Sequence, residues 1–573
     1  MARNHSKSRR KRSRFKGAAS LLLFAAIICA ITVVWFGNPL HEKPNWKGSV
    51  RPIFIQGKLT GYEAQNSGKN MLVPLKFVQS KIDPAIRYEG DSQTIILATR
   101  QNLLHMTVSK PQGELNGTSY MLSAAPQIIS GLVYIPMQAV REVYGVSVHE
   151  DTVTGAVILM KAGEKVKLGN VERKDGRQDA KIALRKEASS LSFILTDIPQ
   201  QTEVRIWSKQ ADWYFVQLDN GYAGYVQAAN VSEGEELAVA PAKDIPSISE
   251  NHWEGRPVNL AWEAVYNRKP DPSKFDPMPG VNVVSPTWFS VINNEGTVQS
   301  KADPAYVSWA HRKGMEVWGL LSNSFNPELT TEVLSTFERR KSIIDQMITL
   351  AGENGLDGIN IDFENVHTKD GPNVTQFLRE LKPMAREHDL ILSIDVTPKS
   401  QSEMWSAFLD RKSLGSITDY LMVMAYDEHW AASPKAGSVA SLPWVETSIK
   451  RIIQEDEVPS QKVVLGIPLY TRVWSETPKG DTIKVSSKSL GMESAAAIIE
   501  KFKLKPKFRA SEGQNYVEYN EDGIVKKIWL EDRVSLEARV QLAKSLKLGG
   551  IGVWNRTFAD EAAWDTLKEI NNK

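Results

Sequence analysis

At 573 residues, 42% apolar and 24% charged, the chain is long enough for roughly three or four domains of about 100–200 residues, with a substantial core. Its net charge of +3 rests on residues 1–16, which hold eight Lys and Arg and no acid; the remainder sets 62 basic against 67 acidic residues, so nothing points to nucleic-acid binding by the main body. The single cysteine, Cys29, excludes an internal disulfide and a cysteine-based metal site.

After the basic tail (1–16), residues 17–37 carry no charge and include Leu21-Leu-Leu-Phe-Ala-Ala-Ile-Ile-Cys-Ala-Ile-Thr-Val-Val-Trp-Phe36. As a helix, this run crosses a bilayer core of about 30 Å. The preceding cations hold the N-terminus on the cytoplasmic side. A cleaved signal peptide is the alternative, but the apolar stretch is longer than a usual signal core, and no clear small-x-small site follows it. The expectation is a single-pass anchor with everything after it outside the cell. Export without disulfides leans toward a bacterial surface.

An internal repeat comes next. Met71-Leu-Val-Pro-Leu-Lys-Phe-Val78 is echoed by Val133-Tyr-Ile-Pro-Met-Gln-Ala-Val140, with Pro74 and Pro136 62 residues apart. Each unit continues into a helix-like stretch and then a hydrophobic strand, Thr94–Leu97 and Ala156–Leu159. Such repeats usually build binding or spacer modules. The segment 50–162 resembles the copper amine oxidase N-terminal-like domain of bacterial surface proteins. The label implies no copper here, because His105 and His149 are the only soft ligands. A stalk or wall-contact role is the modest reading.

Residues 180–233 hold the short β-type runs Val204-Arg-Ile-Trp207, Trp213-Tyr-Phe-Val-Gln-Leu218 and Gly224-Tyr-Val226, with a turn signal at Asp219-Asn-Gly221. They resemble a bacterial SH3 domain, a small β-barrel, which implies contact with cell-wall peptides; a plain spacer barrel is the other reading. Residues 234–254 read as a linker.

From 255 to 573 strand-like and helix-like segments alternate. Strands are expected at Pro257–Trp262, Val281–Ser285, Met315–Leu320, Gly358–Glu364, Leu390–Asp395, Tyr420–Ala425, Lys462–Ile467 and Gly550–Trp554. Amphipathic helices are expected at Thr331–Leu350 and Thr375–His388. The fold class is therefore α/β, a (β/α)8 TIM barrel, with an open doubly wound sheet as the competitor. A small α+β insertion is expected at about 475–530, on the rim where barrel enzymes keep their catalytic groups.

The most informative stretch is Asp357-Gly-Ile-Asn-Ile-Asp-Phe-Glu364. Asn360, Asp362 and Glu364 are spaced by two, so a strand turns them to one face and Ile359, Ile361 and Phe363 to the other. Two adjacent carboxylates repel, which suits an enzyme that needs one of them protonated near neutral pH. Asp357 falls off this face and reads as structural.

Four motifs in chain order carry a resemblance to glycoside hydrolase family 18. Leu356–Glu364 resembles the D-G-x-D-x-D-x-E signature, and Met424-Ala-Tyr-Asp427 resembles M-x-Y-D. Gly466-Ile-Pro-Leu-Tyr470 resembles G-x-P-x-Y, and Gly549-Gly-Ile-Gly-Val-Trp554 resembles G-G-x-x-x-W. The resemblance implies a retaining mechanism in which the substrate's own N-acetyl group is the nucleophile. It implies three catalytic residues: Glu364 as acid and then base, Asp362 orienting the acetamido group, and Tyr426 bonding its oxygen. It implies substrate contacts at Asn360, Asp427, Tyr470, Met424 and Trp554, although Trp554 can also be read as a core tryptophan closing the barrel. No metal or organic cofactor is implied.

Two departures bear on the substrate. The family usually has Asp where this chain has Asn360, and the third strand reads Leu320-Leu-Ser-Asn-Ser-Phe325, without S-x-G-G. An amide neither takes up nor releases a proton, so a shifted pH profile is expected rather than lost activity. Both departures resemble the branch that includes bacterial spore and cell-wall hydrolases, which act on the N-acetylglucosamine-containing glycan of peptidoglycan. The expected partners are that polysaccharide, the wall and the membrane. The alternatives are a chitin or chito-oligosaccharide hydrolase, a glycan-binding protein on a dead barrel, and an adaptor whose N-terminal modules carry the main role; retention of Glu364 argues against the dead barrel.

Overall fold

The computed structural model describes residues 41–44, 46, 48–173, 181–240, 257–479 and 482–572. The basic tail and the expected anchor at 17–37 lie outside them. Among the described residues no helix is long and apolar enough to cross a membrane. The described residues fall into two compact units, one drawn from 41–86, 107–113 and 121–240 and the other from 87–106, 114–120 and 257–572.

In the first unit the two proline-ended repeat strands, Leu72–Pro74 and Leu132–Pro136, pair antiparallel, with Ile135 opposite Val73. Each proline caps a helix, Leu75–Lys81 and Met137–Tyr144. Proline suits that position because its φ is already near −60° and a helix start needs no N–H there. A separate seven-stranded antiparallel sheet runs from Lys165 to Ala238. It closes over a core that includes Val171, Leu184, Val204, Val216 and Val226. The sheet thus takes in Lys165–Val171 before the expected 180–233 module and the first residues of the expected linker. Lys165 pairs with Ala238 and Val171 with Val231.

The second unit holds a closed barrel of eight parallel strands: β1 (Val258–Glu263), β2 (Val283–Pro286), β3 (Glu316–Ser322), β4 (Gly358–Asp362), β5 (Ile391–Val396), β6 (Tyr420–Val423), β7 (Val463–Pro468) and β8 (Gly550–Trp554). Val258 on β1 pairs with Gly550 on β8, and β2 pairs with β3, which completes the ring. The expected closed barrel is thus the observed one, not the open sheet. Side-chain alternation divides its core in two. Leu260, Trp262, Trp318, Leu320 and Met422 fill the interior. Ile359, Ile361 and Phe363 join the layer between strands and helices, with Phe377 and Leu381. The double glycine before β8 has a steric reason. A Cβ on Gly550 would sit 2.0 Å from the Val258 carbonyl oxygen, and one on Gly549 would sit 2.2 Å from that of Gln461.

Helices α1 (Phe337–Asn354) and α2 (Gly371–Glu387) cover β3–β5. The single helix expected at Thr331–Leu350 is two, because Thr336 is extended and its side chain accepts from the Arg339 N–H as an N-cap. Between β7 and β8, residues 470–529 build a five-stranded antiparallel sheet with one helix, Met492–Lys501.

Candidate active site

The expected site residues all lie at the C-terminal mouth of the barrel. Asn360 and Asp362 point inward from β4 and are buried. The strand ends at Asp362, two residues earlier than expected, and Glu364 stands on the first turn beyond it, half-buried. Asn365 then takes φ 55°. The reason for the early end is Asn323, just past β3. Its Oδ1 accepts from the Glu364 N–H at 3.1 Å, and its Nδ2 donates to the Glu364 carbonyl at 2.7 Å and to Thr330 Oγ1 at 2.8 Å. One buried amide therefore replaces the ladder bonds that β3 would have made and fixes the backbone that carries Glu364. Ser324, Phe325, Asn365 and Asp427 all have left-handed φ without being glycine, and such strain concentrates at functional rims.

Asn360 is fixed from three sides. Its Oδ1 accepts from Trp262 Nε1 at 2.9 Å and Ser285 Oγ at 3.2 Å, and its Nδ2 donates to Asp395 Oδ1 at 2.8 Å. Tyr426, Asp427 and Met424 follow β6, which ends at Val423 rather than Ala425; Met424 and Tyr426 are half-buried and Asp427 is exposed. Tyr470, just past β7, donates to Asp427 Oδ1 at 2.7 Å, and Arg472 Nη2 reaches the same oxygen at 3.1 Å. Trp554 ends β8 half-buried, its ring 6.2 Å from that of Trp262, so it both closes the interior and keeps one face toward the mouth. Asp357 sits at the opposite end of β4, where Oδ2 accepts from the Val317 N–H at 2.8 Å and lies 2.8 Å from His311 Nε2.

The electrostatics join these residues. Burial pushes the Asp362 carboxyl up, and a hydrogen bond with Glu364 pulls it partly back. Glu364 is driven well above the usual carboxylate range by burial, then by the Asp362 charge and the shared hydrogen bond, then by Asp427. Tyr426 stays protonated because burial and then Asp395 raise it. Glu364 therefore keeps its proton beside a second carboxyl, the arrangement a general acid needs.

Asp395, Asn323, Arg472, Trp262 and Ser285 were not among the expected site residues. Asp395 had a signal in the sequence, an acid in the largely apolar run Leu390-Ile-Leu-Ser-Ile-Asp395. Asn323 had none, since its role is to bond a backbone 41 residues away. His105 lies 3.5 Å from Glu114 and His149 3.7 Å from Asp219. Among the described residues no group of three His, Cys, Asp or Glu could hold a metal.

Residues 322–559 match the family described as glycosyl hydrolases family 18. The chain carries a family 18 glycoside hydrolase domain. Residues 56–159 match the copper amine oxidase N-terminal domain. An uncharacterized glycosylase of Bacillus subtilis (strain 168), YvbX, is 27% identical over 303 residues, covering 50% of this chain and 84% of that protein. A cortical fragment-lytic enzyme of Bacillus anthracis is 23% identical over 286 residues, covering 48% of this chain and 65% of that protein. The crystal structure of the spore cortex-lytic enzyme SleL of Bacillus megaterium QM B1551 shares the fold, with a TM-score of 0.50 and 20% identity over 60% of this chain and 78% of that one.

Two predictions arise from this geometry in the family 18 domain. Asn323→Ala frees the Glu364 backbone, and a displacement of the order of 1 Å lowers rates by about 10²-fold. The expected result is a fall of about that size in kcat with KM little changed, measured by steady-state kinetics. Second, the folded Asp362 carboxyl is raised from 3.8 to about 7, so the folded state holds a proton that the unfolded chain releases. The stability linked to this group is fully present below pH 3.8 and lost as pH rises toward about 7. Asp362→Asn removes that loss, so its melting temperature should exceed the native one by a margin that widens from pH 4 to pH 8, even as activity drops.

Proposed function

We propose that the protein is a membrane-anchored, outward-facing hydrolase that cuts β-1,4 bonds beside N-acetylglucosamine in peptidoglycan, by substrate-assisted retaining catalysis. The observation that carries this reading is the Asp362–Glu364 pair: two carboxyls at the barrel mouth, hydrogen-bonded to each other, with Glu364 held protonated. Glu364 gives its proton to the glycosidic oxygen as the bond to the anomeric carbon breaks, and then takes a proton from the water that opens the intermediate. Asp362 accepts from the acetamido N–H, turns its carbonyl oxygen toward the anomeric carbon, and offsets the positive charge of the oxazolinium-like intermediate. Tyr426 donates to the acetamido oxygen. Asp427, held by Tyr470 and Arg472, lines the same subsite with Met424, Asn360 shapes its base and Trp554 gives the sugar an apolar floor.

Peptidoglycan is favoured over chitin by Asn360, by the third-strand sequence, and by the similarity to a cortical fragment-lytic enzyme. The seven-stranded sheet, read as an SH3-like module, would hold wall peptides, and residues 17–37 would hold the membrane. The test incubates the full chain, solubilised in detergent, and its Glu364→Gln variant with peptidoglycan and with chitin oligomers, and identifies products by mass. The native chain should release glycan fragments from peptidoglycan and the variant none. Cleavage of chitin alone would move the substrate to the chitinase reading, and no cleavage of either would leave a glycan-binding role.

A further inference from the structure

One buried acid of the barrel has no part in the scheme above. Asp395 is the penultimate residue of β5, is 3% exposed, and points to the interior. The register places it beside the catalytic pair. Ile361 on β4 pairs with Ile394 on β5, so the next residues, Asp362 and Asp395, stand level on neighbouring parallel strands. Adjacent strands run about 4.8 Å apart, which sets two inward carboxyls in direct electrostatic reach. The same layer continues to Ser322 on β3 and Met422 on β6. Among the described residues the groups that face Asp395 are thus Asn360, Asp362, Glu364 and Tyr426, and no cation is among them.

The orientation of Asn360 is decided by chemistry. An indole N–H can only donate, so the atom facing Trp262 must be the amide oxygen and the atom facing Asp395 must be the NH2. The amide can donate to Asp395 Oδ1 whether or not Oδ2 carries a proton. An aspartate at 360 would place a carboxyl against Asp395 and need a proton of its own. The two residues therefore form a matched pair: an amide at 360 allows an acid at 395.

We propose that Asp395 is a positioning residue that carries the exchangeable proton of this site, standing one strand over from the carboxyl that position 360 lacks, and so sets when Asp362 is charged. The proposal rests on the reading of Asp362 and Glu364 as the catalytic pair. Two level carboxyls with no cation between them hold one proton and one negative charge. When the proton leaves Asp362 and an O–H bond forms on Asp395 Oδ2, Asp362 becomes the anion that the cationic intermediate requires, and the charge of the pair stays at −1. Return of the proton restores the resting state once the intermediate is hydrolysed. Position 360 in this chain is thus the fixed member of the relay and position 395 the titrating one.

The test is a carboxyl swap. Rate–pH profiles are measured for the full chain and for Asp395→Asn, Asn360→Asp and the double variant N360D/D395N, on the glycan that the native chain cleaves and Glu364→Gln does not. Asp395→Asn should lower kcat about tenfold, leave KM within about twofold, and move one limb of the profile by about one pH unit. The double variant, which returns one carboxyl to the wall, should recover most of the rate and shift the limb back. Profiles of Asp395→Asn and native protein that superimpose overturn the proposal while leaving the catalytic pair intact, as does a loss in D395N that the swap does not repair. Carbon-13 carboxyl titration of the native chain and of Asp362→Asn decides the matter independently of turnover. Asp395 should titrate above the ordinary carboxylate range, and Asp362→Asn should lower that value; an Asp395 titration indifferent to Asp362→Asn overturns the proposal. A native chain that cleaves no glycan removes the hydrolase reading, and the titration still reports on the pair.

Discussion

Glu364→Gln lowers kcat by about 10²–10⁴-fold, the range for removal of a positioned general acid, and leaves the fold in place. Gln keeps the size of the side chain and can still donate to Asp362, but it has no proton to give the leaving oxygen. Burial and then the neighbouring Asp362 oppose ionisation of the native group. Its backbone is held by Asn323 on both the N–H and carbonyl sides, so the substitution does not redirect the loop. Binding should therefore survive. The measurement is a pair of experiments, steady-state turnover and equilibrium binding of an N-acetylglucosamine oligomer. A variant that turns over within tenfold of native protein would assign the acid to another group. The alkaline limb of the native profile should disappear with Glu364, because that limb reports loss of its proton.

The second large effect is on stability. Arg340 on α1 has no exposed side-chain surface. Its Nε and Nη2 each lie 2.8 Å from an oxygen of Glu380 on α2, and Nη2 also reaches Glu89 at 2.9 Å. Glu89 in turn accepts from the Phe337 N–H at 2.7 Å, at the start of α1. Burial pushes the Glu380 carboxyl up and Arg340 holds it partly down. Arg340→Met takes from buried Glu380 the cation that is bonded to it, leaving only the weaker pull of Arg87, and breaking such a pair costs about 3–5 kcal/mol. The urea midpoint should fall accordingly with the slope unchanged. The double variant Arg340→Met with Glu380→Met, which removes both charges, should recover most of it; a midpoint unmoved by Arg340→Met refutes the account. Glu89 lies in residues 87–106, which cluster with the barrel. A chain cut just before the barrel therefore lacks part of the barrel's own packing, and it should unfold at lower urea than the full chain.

The barrel was readable because each strand is a short apolar run and each in-facing layer repeats with period two. In β4 the alternation of Asn360 and Asp362 with Ile359, Ile361 and Phe363 told which face turns inward. Errors gathered at strand and helix ends. β4 and β6 stop two residues early, and at β4 the cause, the capture of the Glu364 backbone by Asn323, involves residues distant in sequence. The break at Thr336 is a capping choice that periodicity does not register.

The sequence by itself determined the residue types and their spacing: the acids of β4, the tyrosine after β6, the glycines before β8, and the departure at Asn360. Those are local facts, set by alternation along one strand and by motifs within a few residues. Only the tertiary structure decided which groups share a site. Asp395 stands level with Asp362 because barrel closure fixes the register between β4 and β5. Asn360 faces Asp395 because Trp262, almost a hundred residues earlier, occupies its other side. A charge in a buried wall is governed by its lateral neighbours, and lateral neighbours in a parallel barrel come from different strands, so their pairing is a property of the closed ring rather than of any one segment.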